Sequence, residues 1–207
     1  MLEKTFDGLP DIGGFRDAGR GIDGGTWILG LTGVIYMGAD DMVVATLADV
    51  EARDVLGGTN TYLATSDGIR RIDQDHRLFP SGYRPLLSAD VRALTADNRP
   101  DRPGVTHWVG TAAGVFRQGT TFSTLSNMAT GNCVRDALRA GTLLWLATAD
   151  GLIIGRPDGA FETVSGDSYP GDQVHVVRKV GDEVWVGTNV GIGVYALDGM
   201  PKEQLTD

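Results

Sequence analysis

The stretch that decides the fold is LLWLATADGLII, from Leu143 to Ile154. Leu143 to Thr148 is an apolar run of strand length, Ala149-Asp150-Gly151 is a turn, and Leu152 to Ile154 is a second apolar run. A small/Asp/Gly turn between two such runs signals a β-hairpin, because glycine supplies the positive φ the turn needs. The pattern recurs as WILGLTGV from Trp27, YLATSDGI from Tyr62, WVGTAAGV from Trp108 and WVGTNVGI from Trp185. Counting from the aromatic residue of each copy, successive starts lie 35, 46, 37 and 40 residues apart. A repeat of that period is the mark of stacked copies of one supersecondary unit.

Each hairpin is flanked by further strand signals. Val50 to Val55, Val91 to Thr95, Val134 to Leu138, Val174 to Val177 and, more weakly, Phe15 to Ala18 precede a hairpin. Met42 to Thr46, Leu86-Leu87, Phe122 to Leu125, Phe161 to Val164 and Lys202 to Leu205 follow one. Four antiparallel strands in roughly 40 residues make a propeller blade. The expectation is therefore an all-β chain forming one domain over residues 1–207. That domain is a five-bladed β-propeller of four-stranded antiparallel blades, near 15–46, 50–87, 91–125, 134–164 and 174–205. Leu2 to Phe6 is a candidate closing strand, in competition with Lys202 to Leu205. Closure by one chain is the favoured arrangement, and a fragment completed by another protein is the alternative.

The pattern W-[VL]-[GA]-T-x-x-G-[VLI], with a downstream F-x-T-[LV]-S, resembles the short repeats of two-component-regulator sensor propellers. The resemblance runs along the whole chain. It is good in copies three to five and looser in one and two; copy one has Leu29-Gly30 where the others have Gly/Ala-Thr. In the sensors such repeats precede a membrane span and a kinase. Neither is seen in this sequence, so the resemblance implies the fold and not a sensory role. The tryptophans, glycines and threonines of the motif read as scaffold, and Gly191-Ile192-Gly193 has no helix behind it to hold a pyrophosphate.

Composition narrows the function classes. The net charge is −9, with 22 Asp against 5 Glu and 15 Arg against 3 Lys. That balance either resembles proteins of salt-loving archaea, whose acidic surfaces stay soluble in brine, or reflects a GC-rich genome and Asp-rich turns. Broad nucleic-acid binding is not expected of so acidic a chain. No apolar stretch approaches the roughly 18 residues of a membrane span, and MLEKTFDGLP is not a signal peptide. The lone Cys133 reads as a small strand residue. His76, His107 and His175 have no metal-ligand spacing, and Asp73-Gln74-Asp75 lacks the rest of a calcium loop, so no metal or cofactor is expected.

Three constellations compete for function. Asp17 and Asp136 occupy matching positions, and a pair of carboxylates about 5 to 9.5 Å apart is what a glycosidase needs; a turn-capping role is the alternative. Arg16, Glu51, Arg92, Arg135 and His175 share one slot of the innermost strands. They either line a channel as a basic ring for an anion or bridge neighbouring blades. The third arises where the spacing is longest. The links Asp73 to Arg84 and Asp97 to Thr106 bring Arg77, Phe79, Tyr83, Arg84, Arg99 and Arg102 onto one expected face. Arginine and aromatics are the residue types enriched in contact hot spots.

The resulting expectation is a non-catalytic binding or assembly module with a protein partner, in a homo- or hetero-oligomeric complex. It would sit in the cytoplasm or in a particle assembled there, such as the virion or tail of a virus of a halophilic host. The alternatives are a cytoplasmic adaptor and a channel-mouth glycosidase or lyase.

Overall fold

Five four-stranded antiparallel sheets follow one another along the chain in the computed structural model. It describes residues 9–21, 23–57, 60–80, 89–97, 106–117, 123–124, 133–157, 159–164 and 171–206. The first sheet holds β1 (Phe15–Arg20), β2 (Thr26–Gly30), β3 (Gly33–Met37) and β4 (Val43–Ala48). The second holds β5 (Ala52–Leu56), β6 (Thr61–Thr65), β7 (Gly68–Ile72) and β8 (Leu78–Pro80). The third holds β9 (Val91–Asp97), β10 (Thr106–Thr111), β11 (Gly114–Arg117) and β12 (Ser123–Thr124). The fourth holds β13 (Val134–Ala140), β14 (Leu143–Thr148), β15 (Gly151–Gly155) and β16 (Phe161–Thr163). The fifth holds β17 (Val174–Val180), β18 (Glu183–Thr188), β19 (Gly191–Ala196) and β20 (Pro201–Thr206). The chain divides into two compact units, Met1–Arg84 with the first two sheets and Pro85–Asp207 with the last three.

The recurring T-x-x-G has a direct physical cause. The Oγ1 of Thr65, Thr111, Thr148 and Thr188 donates to the carbonyl of Gly68, Gly114, Gly151 and Gly191, at 2.7, 2.9, 2.7 and 3.0 Å. In three copies the same oxygen accepts the N–H two residues on, from Ala113, Asp150 and Val190. Gly68, Gly114 and Gly151 have φ of 129°, 133° and 123°, which a side chain would strain. Copy one departs because Ile12 occupies the threonine's place. A Cβ on Gly30 would lie 2.2 Å from the Ile12 carbonyl oxygen, and that oxygen accepts the Thr32 N–H at 2.9 Å.

Cores lie between successive sheets inside each unit. Trp27, Leu29, Val34 and Tyr36 pack on Ala52, Val55, Leu63 and Ile72 in the first unit. In the second unit Trp108 and Val115 meet Val134, Leu144 and Ile153, while Trp145, Leu152 and Ile154 meet Val177, Val186 and Tyr195. The fourth sheet is covered on both faces, which is why β14 and β15 read as unbroken apolar runs rather than alternating ones. Trp185 and Tyr62 are only half-buried, and Trp185 donates its indole N–H to Glu183 at 3.2 Å.

One strand assignment needs correction. The outer strand of the second sheet is Leu78–Pro80, not Leu86-Leu87, which lie outside the described residues. Pro80 masked the signal, yet an edge strand tolerates proline on its unpaired side. The preceding turn is short, not long. Asp73 accepts the N–H groups of Asp75 and Arg77 on Oδ1 at 3.0 and 2.8 Å, and His76 closes the turn at φ 58°. The last sheet is completed by β20, its own C-terminal strand. The closing strand expected at Leu2 to Phe6 lies outside the described residues.

Candidate functional site

The innermost strands share a defect that positions the basic series. β1, β5, β9, β13 and β17 each carry a β-bulge after their first residue. The residue skipped by the ladder is Arg16, Arg53, Arg92, Arg135 and His175 in turn. A bulge re-aims the extra side chain out of the sheet's alternation. Glu51 was the expected member in the second sheet, but that strand begins at Ala52, so the slot belongs to Arg53. The sequence pattern alone misses this two-residue offset.

The re-aimed side chains reach sideways. Arg16 donates to Glu51 Oε1 at 3.4 Å and to the Ala52 carbonyl at 3.2 Å. Arg92 reaches Cys133 Sγ at 2.8 Å. Arg135 donates to His175 Nδ1 at 2.8 Å and to Gln173 Oε1 at 3.2 Å. Glu51, Cys133 and Gln173 each immediately precede the innermost strand of the next sheet. Of the two readings open for this series, these contacts are of the bridging kind: each guanidinium ties its sheet to its neighbour. Asp90 also holds Arg92, through bonds of 3.0 and 2.8 Å, and this pairing pushes the guanidinium's pKa up.

Asp17, Asp54 and Asp136 follow the bulge, and each accepts the next residue's N–H on Oδ1, at 2.8, 2.7 and 2.9 Å. Asp136 goes further. Its Oδ2 accepts the Val177 N–H of the adjacent sheet at 2.9 Å and a bond from Arg178. Burial pushes its carboxyl above the ordinary value, with Arg178 and the two N–H groups pulling the other way. Each of these carboxylates thus caps a backbone N–H at the bulge. Among the described residues no group of three or more His, Cys, Asp or Glu is placed to hold a metal ion, and no helix is long and apolar enough to cross a membrane.

Of the residues expected at a partner contact, Arg77 is exposed in the β7–β8 turn, 3.8 Å from Asp75. Phe79 is 38% exposed on β8, with the Arg71 guanidinium 5.9 Å from its ring centroid. Tyr83, Arg84, Arg99 and Arg102 lie outside the described residues.

A cleft of about 950 Å³ opens in the first unit, between the first two sheets. Trp27, Tyr36 and His76 line it, with ring centroids 4.5 Å apart for Trp27–Tyr36, 4.6 Å for Tyr36–His76 and 5.8 Å for Trp27–His76. Arg20, Asp23 and Asp73 supply its charges, and Val55, Leu56 and Thr61 part of its wall. Close backbone packing makes it possible: a Cβ on Gly57 would lie 2.0 Å from the Arg20 carbonyl oxygen. The sequence carried a signal for this site in Gly19-Arg20-Gly21-Ile22-Asp23-Gly24-Gly25, a glycine run with no counterpart in the other copies.

No protein-family model matches the sequence, and no curated protein matches it. Solved structures do. The extracellular domain of a putative hybrid two-component system, BT3049 from B. thetaiotaomicron, is 16% identical with a TM-score of 0.72. The match covers 91% of this chain and 28% of that one, so the chain spans well under half of that protein's length. Virginiamycin B lyase from Staphylococcus aureus is 12% identical with a TM-score of 0.75, over 95% of this chain and 71% of that one. The Pan2 WD40 domain of Neurospora crassa is 11% identical with a TM-score of 0.69, over 94% and 66%. At such identities the likeness shows the fold alone: all-β, in sheets arranged as in β-propeller proteins.

Proposed function

We propose that the five sheets close within one chain into a five-bladed β-propeller that serves as a non-catalytic protein-binding module. The observation that carries this reading is β4. It is the outer strand of the first sheet, and among the described residues no strand pairs with its free side. Met42, Val43 and Val44, at its start, are 65%, 40% and 54% exposed. Natural edges are usually blunted by charge, proline or covering segments. β20 follows that rule with Pro201, Lys202 and Glu203, and β8 with Pro80. β4, with the sequence VVATLA, has neither charge nor proline. An extended segment of a partner would add to this edge through main-chain hydrogen bonds and cover the valines. Asp40, Asp41 and Asp49 flank the strand and keep the uncovered form soluble.

The test is retention of a partner by the tagged full-length chain from extracts of its source cells, set against Val44→Lys. Residue 44 is exposed, so the fold is expected to survive, as checked by circular dichroism. A stoichiometric partner held by the parent chain and lost with Val44→Lys supports the reading. The same partner held by both, or none held by the parent, contradicts it.

A further inference from the structure

We propose that the cleft in the first unit binds a small organic cation, an amine or guanidinium carried on an aromatic or aliphatic body. This goes beyond the β4 edge and uses different residues.

The first argument is a pair of exchanges between equivalent positions. The turns between third and fourth strands share one backbone pattern in four sheets. Asp41, His76, Gly159 and Gly199 donate their N–H to the carbonyl three residues back, at 3.0, 3.1, 3.0 and 3.0 Å. All four are left-handed, with φ of 63°, 58°, 93° and 95°. The two described turns of the second unit use glycine there, at no steric cost, whereas a residue with a Cβ is disfavoured at such a φ. The side chain's direction is fixed by the turn: a Cβ on Gly199 would approach Leu143 and Ile154 of the preceding sheet, at 3.3 and 3.5 Å. His76 makes the corresponding approach to the first sheet, onto Trp27 and Tyr36.

The second exchange lies at the same junction. Leu143 lies two residues before Trp145 and is buried in the core between the fourth and fifth sheets. The residue two before Trp27 is Gly25, and there the Tyr36 phenol takes part of the leucine's place, its oxygen 2.4 Å from where a Cβ on Gly25 would lie. The cleft opens beside it, with Trp27, Tyr36 and His76 among its lining residues.

Charge selects the ligand. Two carboxylates, Asp23 and Asp73, face the cleft against one guanidinium, Arg20. Asp73 Oδ1 is held by the Asp75 and Arg77 N–H groups, and Asp23 Oδ1 by the Gly25 N–H at 3.3 Å. Both carboxylates are thus oriented before any ligand arrives. A phosphate or carboxylate ligand would meet net negative charge. A neutral apolar ligand would desolvate two carboxylates without pairing them. A cation pairs with them, beside the half-buried His76 ring that packs on Trp27 and Tyr36. The volume is within the range of small-molecule sites.

The experiment titrates the full-length chain with phenethylamine, 2-phenylethanol and phenylacetate. The readout is the Trp27 indole N–H resonance, assigned through Trp27→Phe. The expected result is saturable binding of phenethylamine, at least about tenfold tighter than either analogue. His76→Gly removes the ring but installs the residue that the two described turns of the second unit use, so it is expected to keep or raise Tm while weakening binding. Asp23→Asn keeps the acceptor for Gly25 and is expected to weaken phenethylamine alone. Equal affinity for 2-phenylethanol or phenylacetate, unchanged affinity in His76→Gly, or no saturable shift with phenethylamine would each overturn the proposal. None of these outcomes touches the β4 reading, which is measured with a different variant.

Discussion

Asp136→Ala is the most informative single change in the second unit. The carboxylate bonds two backbone N–H groups at 2.9 Å each, from Ala137 in its own strand and Val177 in the next sheet. Ala137 is 7% exposed and Val177 is fully buried, so water cannot replace the lost acceptor at Val177 and only poorly at Ala137. Leaving a buried N–H without a partner costs about 1–3 kcal/mol. Two of them, less the relief of removing a carboxylate whose burial opposes ionisation, give a loss of about 2–4 kcal/mol. The Arg178 pair adds little, since that side chain is 54% exposed. Equilibrium urea unfolding of the full-length chain, followed by tryptophan fluorescence, reads this as a midpoint lowered by about 1 M or more. A loss below about 0.5 kcal/mol would refute the claim that this carboxylate joins the two sheets. The sign of the pH effect is separate. A carboxyl whose folded value is raised above 3.8 contributes stability that is present below 3.8 and lost as pH rises through the folded value. Asp136→Asn should therefore remove a fall in stability on the rising side of that window.

Three further outcomes follow from the same geometry. Gly57→Ala forces a Cβ to 2.0 Å from the Arg20 carbonyl oxygen, a backbone atom; it should lower stability by about 1–3 kcal/mol or more in the same urea assay. Thr148→Val removes the bonds to the Gly151 carbonyl and from the Asp150 N–H at a fully buried site. It should cost about 1–2 kcal/mol, and Thr188→Val less, because water reaches that half-buried site. Arg70 and Thr65 hold the Asp67 carboxyl below 3.8, so its stabilisation is present above 3.8 and lost as pH falls through the lowered value. Asp67→Asn should flatten the acid limb of a Tm-against-pH profile.

The repeat was legible because hairpins are local: the Thr148-to-Gly151 bond and the glycine turn lie within four residues. The outer strands were less so. Leu78–Pro80 is short, carries proline and is defined by pairing with β7 rather than by its own pattern. Four of the five bulge positions coincide with the slot read on the innermost strands, and the second differs by two residues, Arg53 for Glu51, because bulges depend on the ladder's register and not on composition. The cleft was missed, since it comes from an exchange between non-adjacent positions, Gly25 for a leucine and His76 for a glycine. The glycine run from Gly19 to Gly25 is its local trace, and the alignment of turns in three dimensions supplies the rest. His76 falls within the expected link Asp73 to Arg84, and its place in the fold is a tight turn.

Small-angle X-ray scattering of the dilute, purified chain tests the central claim most directly. A monomer whose five sheets close into one propeller should have a radius of gyration near about 17 Å, the value for a compact chain of this length. A monomer well above about 20 Å, or a chain that reaches compactness only as an oligomer, would contradict closure by a single chain.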